Sequence, residues 1–193
     1  MQDINHSGDG GVYAELVMNR AFQGSTVRPS VISPWTAIGN ASLSLQNLTT
    51  PLSSALPTSL NVAVSSGVVG ISNPGYWGID VKVQKYTGSF WVKGTYNASF
   101  TASLYNYLSN ETLGSVDVPS NATASEWREH TFTLLPEKEA DNVNNTLRIT
   151  FDASVSFYGH IQYRAGLIIN LGHHRLPRLQ PHLPLPTNLQ EPS

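Results

Sequence analysis

The sequence predicts a mainly β fold, a jelly-roll β-sandwich of two packed sheets, and three observations carry that prediction. The first is the stretch from Tyr86 to Tyr107. Phe90 and Val92 alternate there with Trp91 and Lys93, and after Gly94 the set Phe100, Ala102, Leu104 alternates with Thr101, Ser103, Tyr105. Period-two alternation rich in aromatic residues and Thr marks strands with one buried face. The second is repetition: about eight such short runs, separated by Gly, Pro, Asn and Ser, follow one another between Pro34 and Asp152, a spacing typical of sandwiches. The third is composition. Only 12 % of the 193 residues are charged, and the polar surface is left to Ser, Thr, Asn and Gly. That length holds one domain of ordinary size with a fragment attached.

Taken in order, residues 1–29 stand apart from the strands. His6 to Gly11 is a Gly-rich loop. Val12, Leu16 and Asn19 then recur at helical spacing beside Tyr13, Val17 and Arg20, which predicts a short amphipathic helix ending near Phe22. A helix of about 10 residues is marginal without a partner to pack on. Gln23 to Ser33 connects, with Pro29 and Pro34 bracketing the way into the β region. Residues 30–154 form the sandwich. Its strands are read at Ala41–Gln46, Leu60–Val64, Val68–Ile71, Ile79–Val83, the two halves of Tyr86–Tyr107 with a turn at Asn97-Ala98, Glu126–Leu134 and Thr146–Asp152. In the last, Leu147, Ile149 and Phe151 face one way and Arg148, Thr150 and Asp152 the other. From Val155 the pattern fails, and five prolines between Gly172 and Ser193 exclude helix and central strand, so residues 155–193 read as a poorly packed, Pro-rich tail.

A net charge of −2 without a Lys/Arg run argues against nucleic acid and against anionic membranes as partners. No run of 18 apolar residues is present, and Met1 is followed directly by Gln2-Asp3-Ile4, with no signal peptide in view. With no cysteine there is neither a disulfide nor a thiolate metal site. Asn-X-Ser/Thr sequons stand at Asn5, Asn40, Asn47, Asn97, Asn110, Asn121 and Asn144, and they act as glycosylation sites only if the chain is exported.

Each candidate for chemistry has a plainer competing reading. His6, Asp9 and Glu15 match no ligand spacing and suit a capped loop before a helix. His173-His174 is a pair too small for a metal site on its own. Asp80 and Asp152 can help hold Ca²⁺ with backbone carbonyls, or simply be outward-facing strand carboxylates; no cofactor is called for. Trp35, Tyr76, Trp77, Trp91, Tyr96, Tyr105 and Tyr107 include either a sugar-stacking platform, with Trp77 and Trp91 as its stacking residues, or core and cross-strand packing. No carboxylate pair stands out as hydrolytic.

The opening Gln2-Asp-Ile-Asn-His-Ser-Gly-Asp-Gly-Gly-Val-Tyr-Ala-Glu-Leu-Val-Met-Asn-Arg-Ala-Phe22 resembles the start of the fungal-type α-L-arabinofuranosidases of glycoside hydrolase family 51. Trp35, Pro51 to Leu60, Gly75-Tyr-Trp-Gly78 and Tyr86 to Gly94 look like the same family, so the likeness covers about residues 2–154. It implies a stub of the first unit of a (β/α)8 barrel over 1–29, followed by an inserted, carbohydrate-binding-module-like sandwich over 30–154. It implies a retaining exo-hydrolase that releases terminal α-L-arabinofuranose from arabinan and arabinoxylan, polysaccharides of the plant cell wall, outside the cell. It also implies that both catalytic Glu residues lie in the barrel beyond this segment, which leaves the chain itself without hydrolysis. Alternatively, the sandwich is a free carbohydrate-binding module or a purely structural layer. Asp3 and Asn5 inherit sugar contact by this likeness. Gln2 stands where the family has a sugar-contacting Glu, and Met1 replaces its usual Phe.

The genetic code permits a further expectation for the tail. Val155-Ser156 can be encoded as an intron donor and Leu171-Gly172 can contain an acceptor AG, and an insert with those ends is not a whole number of codons. Shifted by one base, His182 to Ser193 can read as the family's sandwich exit. A retained intron with a frameshift is therefore expected over 155–193, with Phe157 to Tyr163 replacing the authentic last strand.

Overall fold

The computed structural model describes residues 16–23, 29–47, 49–64, 66–154 and the backbone of 170–173. Among the described residues ten strands run in this order: β1 (Thr36–Ile38), β2 (Ala41–Asn47), β3 (Thr58–Val64), β4 (Val68–Asn73), β5 (Tyr86–Val92), β6 (Ser99–Asn106), β7 (Glu111–Pro119), β8 (Arg128–Leu134), β9 (Asn145–Asp152) and β10 (Asn170–His173). They pair antiparallel into a five-stranded sheet of order β1-β4-β9-β6-β7, a three-stranded sheet β10-β5-β8 and a hairpin β2-β3. The jelly-roll type of sandwich expected from the alternation is what forms.

The alternation places the core. Leu147, Ile149 and Phe151 of β9 stand beside Leu104 and Ala102 of β6 and Ile71 and Val69 of β4, all at most 9 % exposed. Tyr86, Phe90 and Val92 of β5, Phe132 and Leu134 of β8, and Leu60 and Val62 of β3 supply the opposite wall. Between the walls lies an aromatic nest. Phe90 meets Phe100 edge-on at 5.3 Å and stacks on His130 at 5.2 Å, while Tyr96 bridges Phe100 and Phe151 at 4.9 and 5.4 Å. Tilted and edge-to-face rings of this kind add to the burial of their area.

Several expectations are corrected. Residues 79–83 alternate but join no ladder. Ile79 and Val81 are buried, yet the backbone is held by other partners. The Tyr86 hydroxyl accepts from Lys82 N at 2.8 Å and Ala140 N donates to Val81 O at 2.9 Å. Alternation there reports which side is wet, and not strand pairing. Asn97-Ala98 does lie in the connection between two strands, and residues 93–98 carry the chain from the β5 sheet to the β6 sheet rather than between paired neighbours. Strands β1 and β7 were not read from the sequence. β1 is three residues long, and a register shift at Leu104/Tyr105 breaks the cross-strand alternation of β7 with β6.

The described part of the predicted N-terminal helix, residues 16–23, is a turn without helix. Asn19 and Phe22 take positive φ of 54° and 56° there, which a helix forbids. Tertiary bonds override the local spacing: Asn19 Nδ2 donates to Val31 O and Ser33 O at 2.8 and 3.0 Å, and the Trp35 indole donates to Asn19 O at 2.9 Å. Within the expected tail, residues 170–173 pair with β5 from Asn170↔Ser89 to His173↔Tyr86. The Phe157–Tyr163 replacement strand lies outside the described residues.

Candidate functional site

The aromatic residues divide by position. Trp35 and Tyr96 are buried, and Trp35 packs beside Phe22 at 5.8 Å. Tyr105 lies under the Arg148 guanidinium, 3.1 Å from its ring centre. Trp91 is half-buried on β5, opposite Glu129. Tyr76 and Trp77 are 52 % and 90 % exposed, with their rings 6.1 Å apart and tilted 41°. Trp77 and Trp91 ride on different kinds of element. Trp77 follows β4 on a turn, whereas Trp91 is the penultimate residue of β5.

The turn beneath Tyr76 and Trp77 is fixed by backbone chemistry. Gly75 and Gly78 take φ of 72° and 91°, a region that costs other residues strain. A Cβ on Gly75 would meet Leu16 O at 2.6 Å, and one on Gly78 would overlap Val143 O. Asn73, fully buried, anchors the turn to the incoming chain. Its Oδ1 accepts from Gly75 N at 2.8 Å and Met18 N at 3.4 Å, and its Nδ2 donates to Met18 O at 2.9 Å. The exposed aromatic pair is therefore presented on a rigid base, beside the segment that leads from the N-terminal motif. Asn73-Pro-Gly-Tyr-Trp-Gly78 is turn chemistry around two aromatics in the sequence alone, whereas the tie of Asn73 to Met18 joins residues 55 apart and has no local signal.

Several of the described carboxylates engage cations or a hydroxyl. Asp80 and Glu139 both contact Lys82 Nζ, at 3.3 and 3.4 Å, and all three side chains are substantially exposed. Those two carboxylates hold the Lys82 pKa above the ordinary lysine value, Asp80 first. Glu126 pairs with Arg128 at 2.5 Å, and Glu111 with Lys138 at 2.6 Å. Asp152 accepts from the hydroxyl and backbone N–H of Ser154, and these bonds hold its carboxyl below the usual range, the wrong direction for a general acid.

Asp80 and Asp152 are not brought together for Ca²⁺. Ile79 O, next to Asp80, bonds to Asn145 at the start of β9, and Asp152 ends that strand. No group of three or more His, Asp or Glu that suits a metal occurs among the described residues. His130 is a core residue, its Nδ1 3.1 Å from Arg128 O and its Nε2 accepting from Asn121 N at 3.3 Å. Gln2, Asp3, Asn5, His6, Asp9, Glu15 and His174 lie outside the described residues, as does the side chain of His173.

The sequons separate cleanly. Asn40, Asn47, Asn97, Asn110, Asn121 and Asn144 are all exposed, whereas the asparagines outside sequons whose side chains are described, Asn19, Asn61, Asn73, Asn106, Asn142 and Asn145, are all buried or half-buried.

No protein-family model matches the chain. It is 33 % identical over 175 residues to the α-L-arabinofuranosidase A of Aspergillus kawachii, covering 89 % of this chain and 26 % of that protein. It is 32 % identical over 161 residues to α-L-arabinofuranosidase 1 of Arabidopsis thaliana, covering 77 % of this chain and 23 % of that one. The chain thus spans about a quarter of the length of these relatives. Among solved structures, the arabinose-bound MgGH51 α-L-arabinofuranosidase superposes with a TM-score of 0.69 at 32 % identity, over 89 % of this chain and 28 % of that one. The CBM22-1 xylan-binding domain of Paenibacillus barcinonensis Xyn10C shares the fold, with a TM-score of 0.55 at 13 % identity, over 86 % of this chain and all of that domain.

Proposed function

We propose, from the correspondence of this chain to one segment of the fungal-type α-L-arabinofuranosidases of glycoside hydrolase family 51, that residues 30–154 are the accessory sandwich of such a protein, following a barrel stub over 1–29. In this reading the sandwich engages plant cell-wall polysaccharide, arabinan or arabinoxylan, outside the cell, and hydrolyses nothing by itself. One observation supports binding above the others. Trp77 is 90 % exposed on a turn locked by Gly75, Gly78 and Asn73, so an aromatic face is held open to solvent at little entropic cost to a ligand. The non-catalytic reading draws support from Asp80, Glu139, Glu126 and Glu111, which are paired with lysine or arginine, and from Asp117, which accepts from the Thr101 hydroxyl.

Retention of the purified chain on insoluble arabinoxylan tests the binding. Wild-type chain is retained, Trp77→Ala is not, and Trp91→Ala keeps most of the retention. Incubation with 4-nitrophenyl α-L-arabinofuranoside tests the rest, and clear turnover overturns the non-catalytic reading.

A second reading, a structural layer that binds no sugar, draws on the Asn73–Met18 bonds, which place Trp77 beside the chain arriving from the N-terminal motif. It is selected if the wild-type chain passes through arabinoxylan unretarded. The aberrant tail over 155–193 is tested by sequencing the transcript across that segment.

A further inference from the structure

We infer that the six exposed sequon asparagines carry N-linked glycans, and that glycan on Asn110 covers the apolar tip of the β6–β7 turn. The inference rests on the extracellular placement proposed above. A glycan must project from the surface, because its bulk and hydroxyls have no place in a packed core. Had these sequons arisen by chance in an Asn-rich chain, some would fall on the asparagines that the fold buries. Instead Asn73 and Asn145, both fully buried, and Asn106, at 3 %, lie outside every sequon. The transfer itself needs a lipid-pyrophosphate-linked oligosaccharide. Asn Nδ2 bonds to its anomeric carbon, the bond from that carbon to the phosphate oxygen breaks, the lipid pyrophosphate leaves, and an amide proton passes to a base of the transferring enzyme.

Asn110 is the site best arranged to fix its sugar. It sits at a φ of 54° in the turn, and the Tyr105 hydroxyl donates to its Oδ1 at 3.1 Å. The carbonyl half of this exposed amide is thereby held by a residue of β6, and the tyrosine does not engage Nδ2, the atom to be glycosylated. The turn is rigid, because Asn106 Oδ1 accepts from Leu108 N at 2.9 Å and Ser109 N at 3.0 Å. Within it Tyr107 and Leu108 are 67 % and 64 % exposed, an apolar tip with no cover from the described chain. Tyr107 N also donates to Asn144 O at 2.9 Å, which ties this turn to the backbone of a second sequon. The C–H face of a sugar anchored there is the surface that this ring suits.

The test uses the full chain exported by a fungal host, with peptide mapping before and after release by peptide-N-glycosidase, which leaves Asp at each occupied Asn. Occupancy is expected at Asn40, Asn47, Asn97, Asn110, Asn121 and Asn144. Thr112→Ala removes the Asn110 sequon while keeping Asn110 and Tyr107, and is expected to lower Tm by a few degrees, the size of effect that a contact worth about 1 kcal/mol has in a domain this large. Tyr107→Ala is expected to lower Tm similarly in the glycosylated chain and not after enzymatic release. An exported chain unmodified at Asn110, or a Tyr107→Ala shift that is the same with and without glycan, overturns the inference. Neither readout depends on arabinoxylan retention, so failure here is distinguishable from failure of the binding proposal.

Discussion

Two aromatic groups in this molecule are built from similar residues and meet opposite fates. Phe90, Phe100, Tyr96, Phe151 and His130 interlock between the sheets, with Phe90 fully buried and Tyr96 at 1 % exposure. Tyr76 and Trp77 stand in solvent only a few residues from buried Ile79. Most of the first group ride on strands, where period two turns every second side chain inward. The second group rides on a turn between two positive-φ glycines, where no period applies and the backbone is aimed by Asn73. Aromatic richness therefore says little about ligand binding until the element beneath each ring is known.

The comparison can be broken at four points. The largest effect is expected from Phe90→Ala. The ring touches Phe100, His130 and Phe132, and its loss leaves a cavity costing about 3–5 kcal/mol in denaturant unfolding. A loss under about 1 kcal/mol would mean that the nest is not the core. Next is Asn73→Ala, expected to cost about 3 kcal/mol, because Gly75 N and both backbone groups of Met18 lose their bonds to a buried side chain. It should also loosen the Tyr76–Trp77 turn, read as faster amide exchange there.

The third concerns His130. Burial pushes its pKa below the ordinary histidine value, against a smaller opposing effect of the Arg128 carbonyl. Unfolded histidine binds a proton near pH 6.5, and the folded site does so only at lower pH. As pH falls below about 6.5 the unfolded state binds a proton that the folded state does not, so stability drops until the folded pKa is passed, and above that window the term vanishes. Thermal unfolding between pH 7.5 and 5 should show this drop, and His130→Phe, which cannot titrate, should flatten it. The smallest effect on stability, within about 0.5 kcal/mol, is expected for Trp77→Ala, even as arabinoxylan retention is lost.

Much of the sandwich was legible because its inner faces obey one period. The alternations of Phe90/Val92, Phe100/Ala102/Leu104 and Leu147/Ile149/Phe151 all point inward as read. Legibility ended where backbone bonds depart from that period. Residues 79–83 alternate without pairing, the register shift at Leu104/Tyr105 concealed β7, and the Asn19 and Trp35 bonds turned a helical spacing into a loop. The candidate site was half legible: Trp77 and Trp91 were named together, but only the fold shows that Trp77 alone stands fully open.

By itself the sequence determined the β-sandwich class, the likeness to a segment of a family-51 arabinofuranosidase, and the seven positions at which an exported chain can take a glycan. Tertiary structure decided which strands share a sheet, which aromatic rings see solvent, and that all six described sequon asparagines do. The reason is physical. Local alternation encodes burial along one strand, whereas pairing, exposure and the aim of a turn depend on hydrogen bonds between residues far apart in the chain, such as Asn73 with Met18 and Asn145 with Ile79.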